Sequence, residues 1–316
     1  MNIKTSLTGM VLALGALPAM GASLSVAVSD FNADGRVDTA VGSTDVLTGS
    51  DTLSVHFGDG TGYMAPGQVF DVSDLEMFDL AAGDLNGDGI SDVAISSRDG
   101  IFVYPADGFG GFTTGAVLSS ARTGEIEIGD MNRDGLLDVI NYGSSVDGPG
   151  SISVFHGYGD GSFSEEVGLI QGPNLGDSMI ANDLNGDGVL DLLLYTGFGR
   201  LTAALGDGMG GFAQPTGVGE LQDVVAISVA VGDVTADGIV DLLVQSEGQG
   251  VTTYKGDGTG AFVQDTVAPH STQVDGLRNP IATADVDVDG VTDVIHVDSA
   301  TGAIHVFLYG TPPAAQ

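Results

Sequence analysis

Apolar residues along this chain come in short runs of small and β-branched side chains, with no helical rhythm beyond the N-terminus. Val26 to Ser29, Thr39 to Val41, Val93 to Ile95 and Leu192 to Leu194 are such runs. Runs of this length and composition read as buried strands. Between them lie clusters of Gly, Asp and Asn, the residues that form tight turns. In the first part of the chain, Ser23 to Ser29 reads as one strand, Asp38 to Gly42 as a second and Thr52 to Phe57 as a third. The third ends in Gly58-Asp59-Gly60-Thr61-Gly62-Tyr63-Met64, an Asp-Gly hairpin signal, after which a fourth strand begins.

The polar stretch between the first and second strands repeats. It reads DFNADGRVD from Asp30, DLNGDGISD from Asp84, DMNRDGLLD from Asp130, DLNGDGVLD from Asp183, DVTADGIVD from Asp233 and DVDVDGVTD from Asp285. The starts lie 54, 46, 53, 50 and 52 residues apart. A period near 50 is the mark of an array or propeller. The glycine turn recurs as well, from Ala106, Gly157, Gly206 and Gly256. Four strands per repeat of this length is the blade of a β-propeller, with the acidic loop joining its first two strands.

One such loop is an ordinary Asp/Asn/Gly turn. Six converging sets of carboxylates would repel one another without a counter-ion, which points to a hard cation. Ca²⁺ takes six to eight oxygen ligands, which alternate loop positions can supply. In the second loop these are Asp84, Asn86 and Asp88, the Ile90 carbonyl and Asp92, with Gly89 allowing the sharp turn. An EF-hand is excluded, because it needs a helix on each side and a Glu at position 12. Position 12 here is Val41, Ile95, Asn141, Leu194, Val244 and His296.

The pairing of this loop with glycine-rich turns resembles the FG-GAP repeats of the integrin alpha-chain head and the VCBS/FG-GAP-like repeats of secreted bacterial proteins. The resemblance covers roughly residues 23–310. It implies an all-β propeller with up to six Ca²⁺ held on one face. The ligands it implies are the side chains at loop positions 1, 3, 5 and 9 and the carbonyl at 7. Beyond the second loop these are Asp30, Asn32, Asp34, Arg36 and Asp38; Asp130, Asn132, Asp134, Leu136 and Asp138; Asp183, Asn185, Asp187, Val189 and Asp191; Asp233, Thr235, Asp237, Ile239 and Asp241; and Asp285, Asp287, Asp289, Val291 and Asp293. Thr235 is a weaker ligand than the amide it replaces, so the fifth site is expected to be the weakest. Asp287 adds a charge, so the sixth is expected to be the tightest.

Integrin heads have seven blades, whereas six loops predict six. The last repeat stops after its third strand, Ile304 to Tyr309, so a three-stranded sixth blade is expected. Nothing is left over to close the ring by strand exchange, and its edge is open to a partner strand.

Composition narrows the partners. Lys plus Arg is 8 and Asp plus Glu is 43, for a formal net charge of −35. Of the acids, 19 lie in the six loops. Without cations such a surface repels itself, and it is a poor match for nucleic acid. There is no cysteine, so metal is left as the staple. Residues 1–22 carry Lys4, an apolar run from Met10 to Leu17 and then small residues, which reads as a secretory signal too short to span a bilayer. The division is therefore 1–22 signal, 23–310 propeller and 311–316 tail, with a secreted, extracellular or periplasmic destination and no membrane span in the mature chain.

Ligands in this fold are expected on the face opposite the acidic loops. Arg98, Arg122, Arg200 and Arg278 fall in loops of that face, while Arg36, Arg133 and Lys255 fall on the loop face. The four arginines are candidates for gripping an acidic protein or glycan, against local pairing with neighbours such as Asp99 and Glu125. Catalysis finds no motif: His56, His156, His270, His296 and His305 show no zinc-ligand spacing, and there is no nucleophile elbow. The absence of Trp weighs against sugar stacking. The expected function is a calcium-rigidified binding or adhesion module for an extracellular protein or glycan. The alternative is a polysaccharide-processing enzyme or lectin on the same scaffold.

Overall fold

The computed structural model describes residues 10–11, 23–45, 50–72, 75–118, 123–145, 148–172, 175, 178–195, 200–220, 226–246, 250–264, 280–298 and 302–310. These form six antiparallel sheets arranged as the blades of a propeller. Their innermost strands are Ser23–Ser29, Met77–Gly83, Glu125–Gly129, Ser178–Asn182, Ala226–Gly232 and Ile281–Ala284. Each touches the next, and the last touches the first, which closes the ring. No helix occurs among the described residues, and none is long and apolar enough to cross a membrane.

Strand limits in the first blade follow the sequence closely. The first strand is Ser23–Ser29 as expected, the second runs on to Asp45, and the third is Ser50–Gly58. The middle strands are buried on both faces, which is why they read as unbroken apolar runs. Val93 and Ile95 pack toward the first blade, while Ala94 packs toward the third. Leu192 and Leu194 face the third blade, and Leu193 the fifth. The core is thus six separate apolar clusters, one between each pair of neighbouring blades.

Inner-strand N–H groups at the blade boundaries are met by polar side chains of the preceding blade. Asp51 accepts from Met77 at 3.0 Å, Asp79 from Ile126 at 3.1 Å, Glu125 from Met179 at 2.7 Å, and Ser228 from Ile281 at 3.2 Å. Buried backbone donors need partners, so these bonds register each blade on its neighbour.

The sixth blade takes three strands from its own repeat: Ile281–Ala284, Asp293–Val297 and Ile304–Phe307. The expected three strands are thus present, and only the expectation that their outer edge stands open is corrected. Met10–Val11 pairs antiparallel with it, Met10 opposite Val306 and Val11 opposite His305. An edge strand offers a row of unpaired N–H and C=O groups, and these two residues pair with part of that row.

Candidate metal centres

All six acidic loops are built alike. The residue before each loop pairs with the ninth-position Asp: Ser29 with Asp38, Gly83 with Asp92, Gly129 with Asp138, Asn182 with Asp191, Gly232 with Asp241 and Ala284 with Asp293. This register fixes where the loop leaves and rejoins the sheet. The second position anchors it from below: Phe31, Leu85, Met131, Leu184, Val234 and Val286 are all buried between blades. The sixth-position glycines, Gly35, Gly89, Gly135, Gly188, Gly238 and Gly290, have φ between 78° and 88°, so the side-chain-free residue is required there.

The first-position carboxylate gathers the loop around itself. Asp84 accepts N–H groups from Asp88 at 3.1 Å and Gly89 at 2.9 Å. Asp30, Asp130, Asp183, Asp233 and Asp285 do the same with their own fifth and sixth residues. The fifth-position carboxylate accepts the N–H of the seventh residue in every loop. The third-position oxygen accepts the fifth N–H in five loops, through Asn32, Asn86, Asn132, Asn185 and Asp287. The first- and third-position side chains of these five loops thus meet at the fifth-position N–H. The Oδ1 atoms of Asp30, Asp84 and Asp183 already accept two N–H groups each, while their Oδ2 atoms accept one and keep a lone pair.

The sixth loop is the most developed. One oxygen each from Asp285, Asp287 and Asp289 lies within 4.8 Å of the others. Asp287 is 3% exposed, and neither its Oδ2 nor the Oδ2 of Asp289 has a hydrogen-bond partner. Buried anionic oxygens without a donor are costly, and a hard cation is the group that would satisfy them. Burial raises the Asp287 carboxyl above its ordinary value, with the charges of Asp289 and Asp285 adding to the shift.

The ninth-position Asp does something the sequence did not reveal. Its side chain is fully buried in all six loops. In the second loop one oxygen of Asp92 accepts from Leu85 at 3.0 Å and the other from Ala106 at 2.9 Å, at the end of the third strand. Asp38 bridges Phe31 and Gly58, Asp138 bridges Met131 and Gly157, Asp191 bridges Leu184 and Gly206, and Asp293 bridges Val286 and Tyr309. Asp241 differs at one end, accepting from Thr235 rather than Val234, and from Gly256. The carboxylate therefore ties the acidic loop to the third strand of its own blade. Burial is the largest influence on these groups and lifts Asp38, Asp92 and Asp293 to about 6. It raises Asp138, Asp191 and Asp241 as well.

The glycine turns share this face. Gly161 of the third blade donates its N–H to the Leu85 carbonyl of the second loop at 3.2 Å. A Cβ on Gly87 would come 2.7 Å from the Gly159 carbonyl oxygen, so the two turns touch. Of the residues expected on the opposite face, Arg122 and Arg278 lie outside the described residues, as do His270 and the Arg200 side chain. Arg98 pairs with Glu76 at 3.3 Å rather than with Asp99, both side chains being well exposed. Along the axis, a cavity of about 360 Å³ is lined by the six innermost strands and carries Asp79, Glu125 and Glu127. Burial lifts Asp79 to about 6, and burial followed by the Asp79 charge raises Glu127.

Fold and loops together define a six-bladed propeller with one acidic hairpin per blade. A sequence profile of the FG-GAP-like repeat matches residues 84–141, 183–244 and 233–296, and the chain belongs to this repeat family. Among curated proteins none matches the chain. Solved structures with the same fold include an Agrocybe aegerita lectin described as recognising non-reducing terminal N-acetylglucosamine. It is 18% identical over 92% of this chain and 80% of that one, with a TM-score of 0.58. A lectin from Burkholderia pseudomallei is 16% identical over 91% of this chain and 81% of its own, with a TM-score of 0.61. A mutant of AofleA from Arthrobotrys oligospora is 12% identical over 96% and 88%, with a TM-score of 0.60. At these identities the likeness is one of fold.

Proposed function

We propose that this chain is an exported recognition module whose blades are rigidified by calcium and whose ligand is a glycan. The observation that carries the calcium reading is the Asp285–Asp287–Asp289 cluster, with two buried carboxylate oxygens lacking any donor. Bound there, Ca²⁺ would supply the positive charge those oxygens lack. The side chains at positions 1, 3 and 5 would hold it. The second lone pairs of the ninth-position carboxylate and the seventh-position carbonyl are the further donors. The same loop architecture in all six blades extends this reading around the ring, and six divalent ions would offset about a third of the −35 charge.

Glycan as the ligand class is supported by the lectin propellers of the same fold. The N-terminal signal pattern supports export, to compartments where calcium is high enough to fill even weak sites, and cleavage there would remove Met10–Val11 and leave the sixth blade with the three strands of its own repeat. Ligand recognition would fall on the face away from the acidic loops, where loop length varies most among the repeats. A glycan-array screen of the calcium-loaded protein, repeated in chelator, tests this reading. Calcium-dependent retention of a defined class of sugar termini is expected. Release of new reducing ends from a polysaccharide would favour the enzymatic alternative, and retention of a protein but no glycan would favour adhesion to protein.

A further inference from the structure

The fifth loop departs from the other five in three ways, and all three bear on its cation. Its third position is Thr235, and the bond from a third-position side-chain oxygen to the fifth-position N–H, present in the other five loops, has no counterpart there. Its second N–H, that of Val234, turns back to the Gly232 carbonyl at 3.0 Å, so the ninth-position Asp241 takes the Thr235 N–H instead. Finally, the Lys255 ammonium lies 2.5 Å from Asp237 Oδ2, at the fifth position of the loop. That contact holds the Asp237 carboxyl below its ordinary value, the Lys255 hydrogen bond being the largest cause.

Lys255 reaches this point from a defined place in the repeat. It immediately precedes the glycine turn, where the other blades carry Phe57, Pro105, His156, Leu205 and Leu308. Four of those are apolar. His156 approaches the ninth-position Asp138, with its Nδ1 3.3 Å from Oδ1, and not the fifth-position carboxylate. Arg36 in the first loop does face a fifth-position carboxylate, Asp34, but at 3.4 Å, and that loop keeps its Asn32 ligand. Only in the fifth loop does a compact cation coincide with a lost ligand and an altered hydrogen-bond register.

We infer that Lys255 is the built-in counter-ion of the fifth loop, standing where calcium stands in the others and leaving that blade independent of the metal. This inference rests on the calcium reading above and refines it: the chain would bind one ion fewer than it has loops. A tethered ammonium neutralises the carboxylates without the concentration dependence of a free ion. The fifth hairpin would then stay formed when calcium falls and the others loosen.

Hydrogen exchange of the full-length protein, with Ca²⁺ and in chelator, reads each loop separately. In the natural chain, residues 285–293 should lose protection on chelation while residues 233–241 keep theirs. Lys255→Gln should make protection of 233–241 calcium-dependent and add one equivalent of bound calcium by titration. Lys255→Arg, which keeps the charge, should restore the natural behaviour. If 233–241 responds to chelation as strongly as 285–293 in the natural chain, Lys255 is not the counter-ion and the inference fails while calcium binding stands. If no loop responds and the protein binds no calcium, both fail. A Lys255→Gln chain whose fifth loop still ignores calcium also overturns the inference.

Discussion

Asp92 holds Ala106 across the blade: its Oδ1 accepts the Ala106 N–H at 2.9 Å while its Oδ2 accepts that of Leu85 at 3.0 Å. A carboxylate that the loop motif offers as a metal ligand is thus first a brace between strands. Removing it should therefore cost stability whether or not metal is present. Asp92→Ala orphans two buried N–H groups, each worth about 1–3 kcal/mol. Asp88→Ala, at the fifth position of the same loop, should cost well under half as much in metal-free protein. Denaturant unfolding in chelator compares the two, and equal costs would mean that Asp92 has no bracing role.

Protonation of these braces sets a pH dependence. Asp38, Asp92 and Asp293 sit at about 6 in the folded chain, above the ordinary value of 3.8. Between those limits the native state binds more protons than the unfolded one, so stability falls as pH rises through the window. Metal-free protein should therefore melt higher at pH 5 than at pH 7. Calcium, which favours the ionised carboxylates, should raise the melting temperature more at pH 7 than at pH 5. A metal-free melting temperature that climbs from pH 5 to pH 7 would contradict this.

Charge count should rank the loops. Asp287→Asn leaves the sixth loop with the ligand set of the second and fourth, and its calcium affinity should fall about tenfold toward theirs, since ligand charge tunes such sites. Site-resolved calcium titration checks this. The substitution should also relieve the unsatisfied Oδ2 in metal-free protein, so stability in chelator should rise.

Much of this was legible in the sequence because it repeats. Six copies of one spacing fixed the blade count, and the apolar runs fixed the strands. The unbroken apolar runs hid the face assignments, since strands buried on both sides show no alternation. The roles of Asp38 and its five counterparts were not legible, because a carboxylate that braces a strand and one that binds a cation look the same in a motif. The pairing of Met10–Val11 with the last blade was missed for a related reason: an apolar run of that length reads equally as a signal core and as an edge strand. Lys255 was placed on the loop face by the sequence, but its partner was not legible, since Asp237 lies 18 residues away.

The fourth loop position carries strain that can be removed. Gly87 and Gly186 have φ of 75° and 76°, while Val288 adopts 61° at the same place in the sixth loop. A left-handed backbone costs a β-branched residue roughly 1–2 kcal/mol. Val288 is 69% exposed, so little packing is lost on replacement. Val288→Gly should stabilise the protein by about 0.5–1 kcal/mol after the entropy of glycine is counted, as thermal unfolding would show. A loss of stability would mean that the Val288 side chain contributes contacts that outweigh its backbone strain.

The most direct measurement is the melting curve of the full-length protein in calcium and after chelation, at constant ionic strength. Ions that bind only the native state stabilise it by mass action, and several filled loops should together raise the melting temperature by on the order of 10 °C. Coincident curves, or a shift that sodium chloride reproduces at equal ionic strength, would show that these loops are turns and that no bound cation holds the ring together.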